Sequence, residues 1–175
     1  MEQISLVEYD IPAVSLNLQW DSPHPEQAWQ ALQAFIRTNY NEECVCVCDK
    51  NCPVLSKKDQ KIVLQRLLES VDFHTKLFLP AACGLGQIIL IDENFLWIEA
   101  FRYAPLIFLL NPIYDDILNE KFTDDCGIAE RLNMITSQKI SMYPFIHTLL
   151  HASKYKSEEA EERIAVLKKV KALFR

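Results

Sequence analysis

Residues 44–52 read Cys44-Val45-Cys46-Val47-Cys48-Asp49-Lys50-Asn51-Cys52 and hold four of the six cysteines of this 175-residue chain. The alternation of cysteine with valine predicts a β-strand, because successive side chains of a strand point to opposite faces. Free cysteine is among the most buried residue types and packs as a small apolar group. We therefore expect residues 43–48 to form a central buried strand, with the three cysteines packed on one face and the two valines on the other.

A second strand is predicted at residues 13–20, where apolar and polar side chains alternate strictly. Its apolar residues lie on one face, and Ser15, Asn17 and Gln19 lie on the other. A helix follows, with one apolar stripe made of Ala28, Trp29, Leu32, Phe35 and Ile36. Ser56 and Asp59 have the spacing of a helix cap and predict a second helix that ends near Val71.

The remaining elements are predicted from apolar runs and helical periodicity. Further strands are expected at 76–80, 87–91, 95–101 and 106–110. The strands at 87–91 and 95–101 are expected to form a hairpin. Helices are expected at 112–120, 123–135, 141–154 and 157–174. The pattern predicts an α/β fold, a mixed sheet flanked by helices, with a helical C-terminal part. We expect a single domain over residues 1–175, in which residues 112–175 form a helical part packed on an α/β part at 1–111.

Composition narrows the class of protein. The chain is 50% hydrophobic and 24% charged, with a net charge of −6, as in an ordinary globular domain. A basic patch with interleaved aromatic residues is missing from the sequence, so we expect no nucleic-acid partner. The N-terminus lacks a basic leader, and no apolar stretch is long and unbroken enough to span a bilayer. We therefore expect a cytoplasmic protein that does not insert into membranes and keeps its thiols reduced.

The cysteine run is also a candidate metal site. Alternate residues of a strand are about 6.7 Å apart along the chain, whereas zinc holds sulfur at about 2.3 Å. Three successive cysteines of one face are therefore not expected to share one ion or to line a site. Cys48 and Cys52 bracket a turn and are the best-placed pair, and Asp49 lies between them. A zinc-binding domain stays open as an alternative, although we expect no cofactor.

A pair of histidines is the other candidate for metal binding. His147 and His151 are four residues apart, which places both on one face of a helix. The glutamate that follows the first histidine in the metalloprotease pattern is replaced here by Thr148. Packing or surface exposure is the simpler interpretation of this pair.

A candidate catalytic site depends on strand direction. If the strands at 13–20, 43–48 and 76–80 are parallel, their carboxyl ends share one sheet edge, where ligands bind in open α/β folds. That edge would carry Asp21, His24, Asp49 and Cys83. A thiol beside a histidine and carboxylates suggests a small cysteine-dependent hydrolase or transferase. The alternative is that the aspartates serve turns and caps and that Cys83 is small because packing there is tight.

The last predicted helix is strongly amphipathic and motivates the leading functional hypothesis. Its apolar stripe is formed by Ile164, Leu167, Val170 and Phe174. Such a stripe suits docking into a groove of a protein partner, and equally suits packing on its own domain. The sequence thus favours a non-enzymatic protein-interaction module, such as an adaptor, a chaperone-like subunit or an inhibitor. The identity of the partner and the oligomeric state stay open.

Overall fold

The computed structural model describes residues 14–20, 22–122 and 126–151, and beyond them positions 164, 165, 168, 169 and 172. The strands are β1 (Val14–Leu18), β2 (Cys44–Asp49), β3 (Leu77–Leu79), β4 (Ile88–Leu90), β5 (Phe95–Ile98), β6 (Leu106–Leu110) and β7 (Lys139–Met142). The helices are α1 (Pro25–Thr38), α2 (Lys57–Ser70), α3 (Tyr114–Asn119), α4 (Ile128–Ile135) and α5 (His147–His151). Single 3-10 turns at Val71–Phe73 and Asn111–Ile113 follow α2 and precede α3.

The strands form one mixed sheet in the order β1-β2-β6-β3-β7-β5-β4. β1 is parallel to β2, and β3 is parallel to β7, while the other neighbouring pairs are antiparallel. β2 pairs with β1 on one side and with β6 on the other, and every one of its residues is buried. The predicted α/β fold, with a mixed sheet flanked by helices, is therefore confirmed, and the cysteine run is an interior strand.

The first half of the chain follows its predicted elements closely. The apolar stripe of α1 buries Trp29, Leu32 and Ile36. Ser56 caps α2, because its hydroxyl accepts the backbone N–H of Asp59 at 3.1 Å. Removal of such a cap typically costs about 1 kcal/mol. β4 and β5 form the predicted antiparallel hairpin.

The order of the central strands differs from a simple parallel arrangement. β3 points in the same direction as β1 and β2, but β6 lies between β2 and β3 and is antiparallel to both. The carboxyl ends of the first three strands therefore share an edge, as predicted, with β6 inserted among them. The insertion moves the end of β3 away from the ends of β1 and β2.

The prediction of a helix starting at residue 141 was wrong, because β7 occupies 139–142 inside the sheet. Two of its four residues are polar, which hides the usual strand pattern. Lys139 is buried, and its ammonium donates to the carbonyl of Thr136 beyond the end of α4. Ser141 donates to the carbonyl of Leu79 at 2.8 Å. Both polar groups are satisfied by backbone oxygens, which lets β7 sit between β3 and β5.

The described C-terminal positions 164, 165, 168, 169 and 172 are helical. Ile164 is buried in the hydrophobic core, and the ammonium of Lys168 lies 4.0 Å from the ring centroid of Tyr143. These contacts join that helical segment to the rest of the domain. Among the described residues, no helix combines the length and the apolar character needed to cross a membrane.

Candidate functional site: a cavity lined by three thiols

A cavity of about 410 Å³ lies between α2 and one face of the sheet. Its floor is formed by β1, β2 and β6, and its roof by Gln60, Val63 and Leu64 of α2. The loop that joins β2 to α2 forms the remaining wall and contributes Cys52 and Val54. Val54 is 92% exposed, so the cavity opens to solvent along this loop.

Strand register explains why the floor is polar at one edge and apolar at the other. Ser15 and Asn17 of β1 lie opposite Cys46 and Cys48 of β2. On the far side of β2, Cys46 and Cys48 lie opposite Phe108 and Leu106. Paired residues point to the same face of a sheet, so the polar face of β1 and the cysteine face of β2 coincide. Short Ser and Cys side chains leave the space beneath α2 unfilled.

Three thiols meet at this floor. Cys46 Sγ lies 3.6 Å from Cys48 Sγ, well inside the spacing of their backbone positions, because the two side chains lean towards each other. Cys52 lines the same cavity from the loop and influences the acidity of Cys48, while its thiol donates to the carbonyl of Pro53 at 3.7 Å. Cys46 and Cys48 both line the cavity, where the sequence led us to expect only packing of the earlier cysteines.

The three thiols differ in acidity. Hydrogen bonds from Cys46 and then from Cys52 lower the pKa of Cys48, although burial opposes them. The same hydrogen bonds, together with burial, raise the pKa of Cys46 and of Cys52. Cys44, at the other end of the strand, does not line the cavity, and burial raises its pKa to about 12. Cys48 is therefore the thiol of this cluster that loses its proton first.

Asp49 lines the cavity but serves the turn that follows β2. Its Oδ1 accepts the backbone N–H of Asn51 at 2.8 Å, and its Oδ2 accepts that of Trp20 at 3.4 Å. The carboxylate is buried and both oxygens are engaged, which is ordinary turn chemistry. It fixes where the chain leaves the sheet. Lys50 is exposed and donates to Gln19 Oε1 at 2.9 Å.

The other residues of the predicted catalytic edge do not join this cluster. Cys83 is fully buried, and its backbone forms an isolated antiparallel β-bridge with that of Tyr103. His24 is exposed on the segment before α1. The strands that lead to them, β1 and β3, are three positions apart in the sheet, or about 14 Å at the usual strand spacing. Asp21 lies outside the described residues.

The predicted metal pairs are placed as follows. Cys48 and Cys52 both line the cavity, whereas His147 lies exposed in the short helix α5. The side chain of His151 is outside the described part of the chain. Within that part, no group of three or more His, Cys, Asp or Glu side chains is arranged to hold a metal ion.

Of the predicted partner-binding stripe, the structure describes Ile164, which is buried in the core. Leu167, Val170 and Phe174 lie outside the described residues. Burial of Ile164 means that this position packs on its own domain, the alternative that the sequence left open. The protein-interaction hypothesis stays a prediction.

The cavity brings together residues that sequence analysis did not combine into a site. Ser15 and Asn17 were expected only on the polar face of a strand, and Cys46 only in packing. The available signal was that both strands carry small or polar residues at alternate positions. No protein-family model matches this chain, and no curated protein is similar to it in sequence.

Proposed function

We propose that this protein binds a small, largely apolar molecule in the thiol-lined cavity and acts on it through Cys48 as the nucleophile. A volume of about 410 Å³ is in the range of small-molecule sites, which are mainly apolar with a few polar groups. The observation that carries the proposal is the position of Cys48: it lines the cavity, its sulfur lies 3.6 Å from that of Cys46, and its interactions with Cys46 and Cys52 lower its pKa. The reactive form of cysteine is the thiolate, and these contacts favour it.

The proposal keeps the cysteine-dependent chemistry that the sequence suggested and moves it from Cys83 to Cys48. Group transfer suits the site better than hydrolysis. Hydrolysis needs a base to activate water, and none of the described residues that line the cavity is a histidine. The carboxylate of Asp49 is already held by backbone N–H groups. Transfer to a thiolate requires no such base.

Selective alkylation tests the proposal. Reduced native protein is treated with iodoacetamide near neutral pH, and each cysteine is followed by peptide mass spectrometry. We expect Cys48 to react at least about tenfold faster than Cys44, since a lowered thiol pKa raises the fraction of thiolate. Equal labelling of these two cysteines would contradict the proposal.

A cavity-filling variant tests whether the reagent enters through the cavity. Ser15→Trp places a large side chain on the floor from the edge strand β1, where Ser15 is only partly buried. We expect slower labelling of Cys48 in this variant. Ile89→Trp is the matched control, because Ile89 is 58% exposed on β4, the opposite edge strand. If both variants label like the wild type, the cavity is not the route to Cys48.

A further inference from the structure

We infer that the cavity is a hydroperoxide-reducing site in which Cys48 takes the terminal oxygen of the substrate and Cys52 resolves it as a disulfide. This inference rests on the proposed role of Cys48 as nucleophile and names the substrate class for it. It is carried by the arrangement of the thiols: Cys48 and Cys52 line the same cavity, Cys48 from the interior strand β2 and Cys52 from a segment that is not part of the sheet.

Backbone geometry selects Cys52 over Cys46 as the partner. A disulfide needs Cα atoms at most about 6.8 Å apart and a Cβ–S–S–Cβ dihedral near 90°. The Cβ atoms of residues i and i+2 of a strand are about 6.7 Å apart, beyond the about 3.5–4.5 Å of a disulfide, and β2 is held by pairing on both sides. Cys52 lies in the loop, half-buried, and its N–H bonds to the Asp49 carbonyl at 2.8 Å. It is the thiol that is free to adjust.

The two steps balance as follows. The Cys48 thiolate attacks the terminal oxygen of ROOH, an S–O bond forms, the O–O bond breaks, and RO⁻ takes a proton from solvent to leave as the alcohol. Cys48 is now a sulfenic acid. The Cys52 sulfur then attacks the Cys48 sulfur, its proton goes to the departing hydroxide, and water leaves as the disulfide forms. Two equivalents of a thiol reductant return the dithiol.

The walls of the cavity favour an organic hydroperoxide. Leu64, Leu106 and Phe108 supply an apolar surface for a hydrocarbon group, while Ser15 and Asn17 lie beside the sulfurs. Hydrogen peroxide would gain nothing from the apolar walls. We therefore expect cumene hydroperoxide to react faster than hydrogen peroxide, and Ser15→Trp to reduce this preference.

The experiment uses reduced full-length protein and one equivalent of cumene hydroperoxide. We expect one equivalent of alcohol, loss of two thiols, and a Cys48–Cys52 disulfide in the peptide map. Oxidation of Cys48 should be at least about tenfold faster than that of the more exposed Cys126, because the lowered thiol pKa of Cys48 gives it more thiolate character. In Cys52→Ser and Cys52→Ala, Cys48 should instead accumulate as sulfenic acid, which dimedone traps. Cys44→Ser should behave as the wild type.

The outcomes separate this inference from the proposed function. A protein in which Cys48 is alkylated selectively but forms neither sulfenic acid nor disulfide overturns the inference and leaves the nucleophile in place. A Cys46–Cys48 disulfide in the native chain overturns the assignment of Cys52. If Cys48 is inert to both reagents while the circular dichroism spectrum is that of a folded protein, the inference and the proposed function fall together.

Discussion

Replacing Cys46 by valine should make Cys48 less acidic without disturbing the sheet. Valine fills a similar volume, suits an interior strand, and already flanks this position on both sides. The substitution deletes the S–H group that lies 3.6 Å from Cys48 Sγ. That hydrogen bond is the largest cause of the lowered Cys48 pKa, so its loss should move the pKa upward.

The expected size of the pKa change follows from the strength of this hydrogen bond. Bonds to charged groups contribute about 1.5–3 kcal/mol, and S–H is a weak donor, which puts this bond at the low end. About 1.4 kcal/mol corresponds to a tenfold change in the thiolate fraction. A more basic thiolate is also more nucleophilic, with a Brønsted coefficient of about 0.4–0.5. At pH values below the pKa of Cys48, the labelling rate of Cys46→Val should therefore be only about three- to fourfold lower than that of the wild type.

The measurement is the rate of Cys48 alkylation by iodoacetamide between acidic and alkaline pH, followed by peptide mass spectrometry. The midpoint in Cys46→Val should lie at a pH about 1 higher than in the wild type. Cys44→Val is the matched control, being the same change on the same face of β2 but outside the cavity; its profile should match the wild type. Superimposable profiles for Cys46→Val and wild type would refute the hydrogen-bond explanation of Cys48 acidity.

Two further predictions concern stability. Gly84 has a φ of 62°, and a Cβ there would lie 2.8 Å from Arg102 Cβ. The substitution Gly84→Ala should therefore lower the free energy of unfolding, measured in urea, by at least about 1–2 kcal/mol. Gly127→Ala is the control and should change this free energy less, because a Cβ at Gly127 meets nothing within 4 Å. Burial lowers the pKa of Lys139 from 10.5, so between that lowered pKa and 10.5 the unfolded chain binds more protons than the native one and stability rises with pH. In Lys139→Met, urea titrations at two alkaline pH values should no longer show this rise in stability. If the rise is unchanged in the variant, another titrating group causes it.

The local sequence pattern was sufficient to predict a strand or helix where one face of the element is buried and the other is not. The alternation in residues 13–20 predicted β1 and its two faces, and the apolar stripe of α1 identified Trp29, Leu32 and Ile36. The pattern failed at β7, where Lys139 and Ser141 are buried and find their partners in backbone carbonyls of other elements. A polar residue whose partner is distant in sequence carries no local signal of its burial.

The sequence by itself determined the strand character of the cysteine run, the helix cap at Ser56, and an α/β fold, because periodicity and capping act over a few residues. It could not determine that β6 would separate β2 from β3, which keeps Cys83 apart from the first two strands. Nor could it place the polar face of β1 against the cysteine face of β2. Strand neighbours and register depend on contacts between residues far apart in the chain. Those contacts turned a set of buried cysteines into the floor of a cavity.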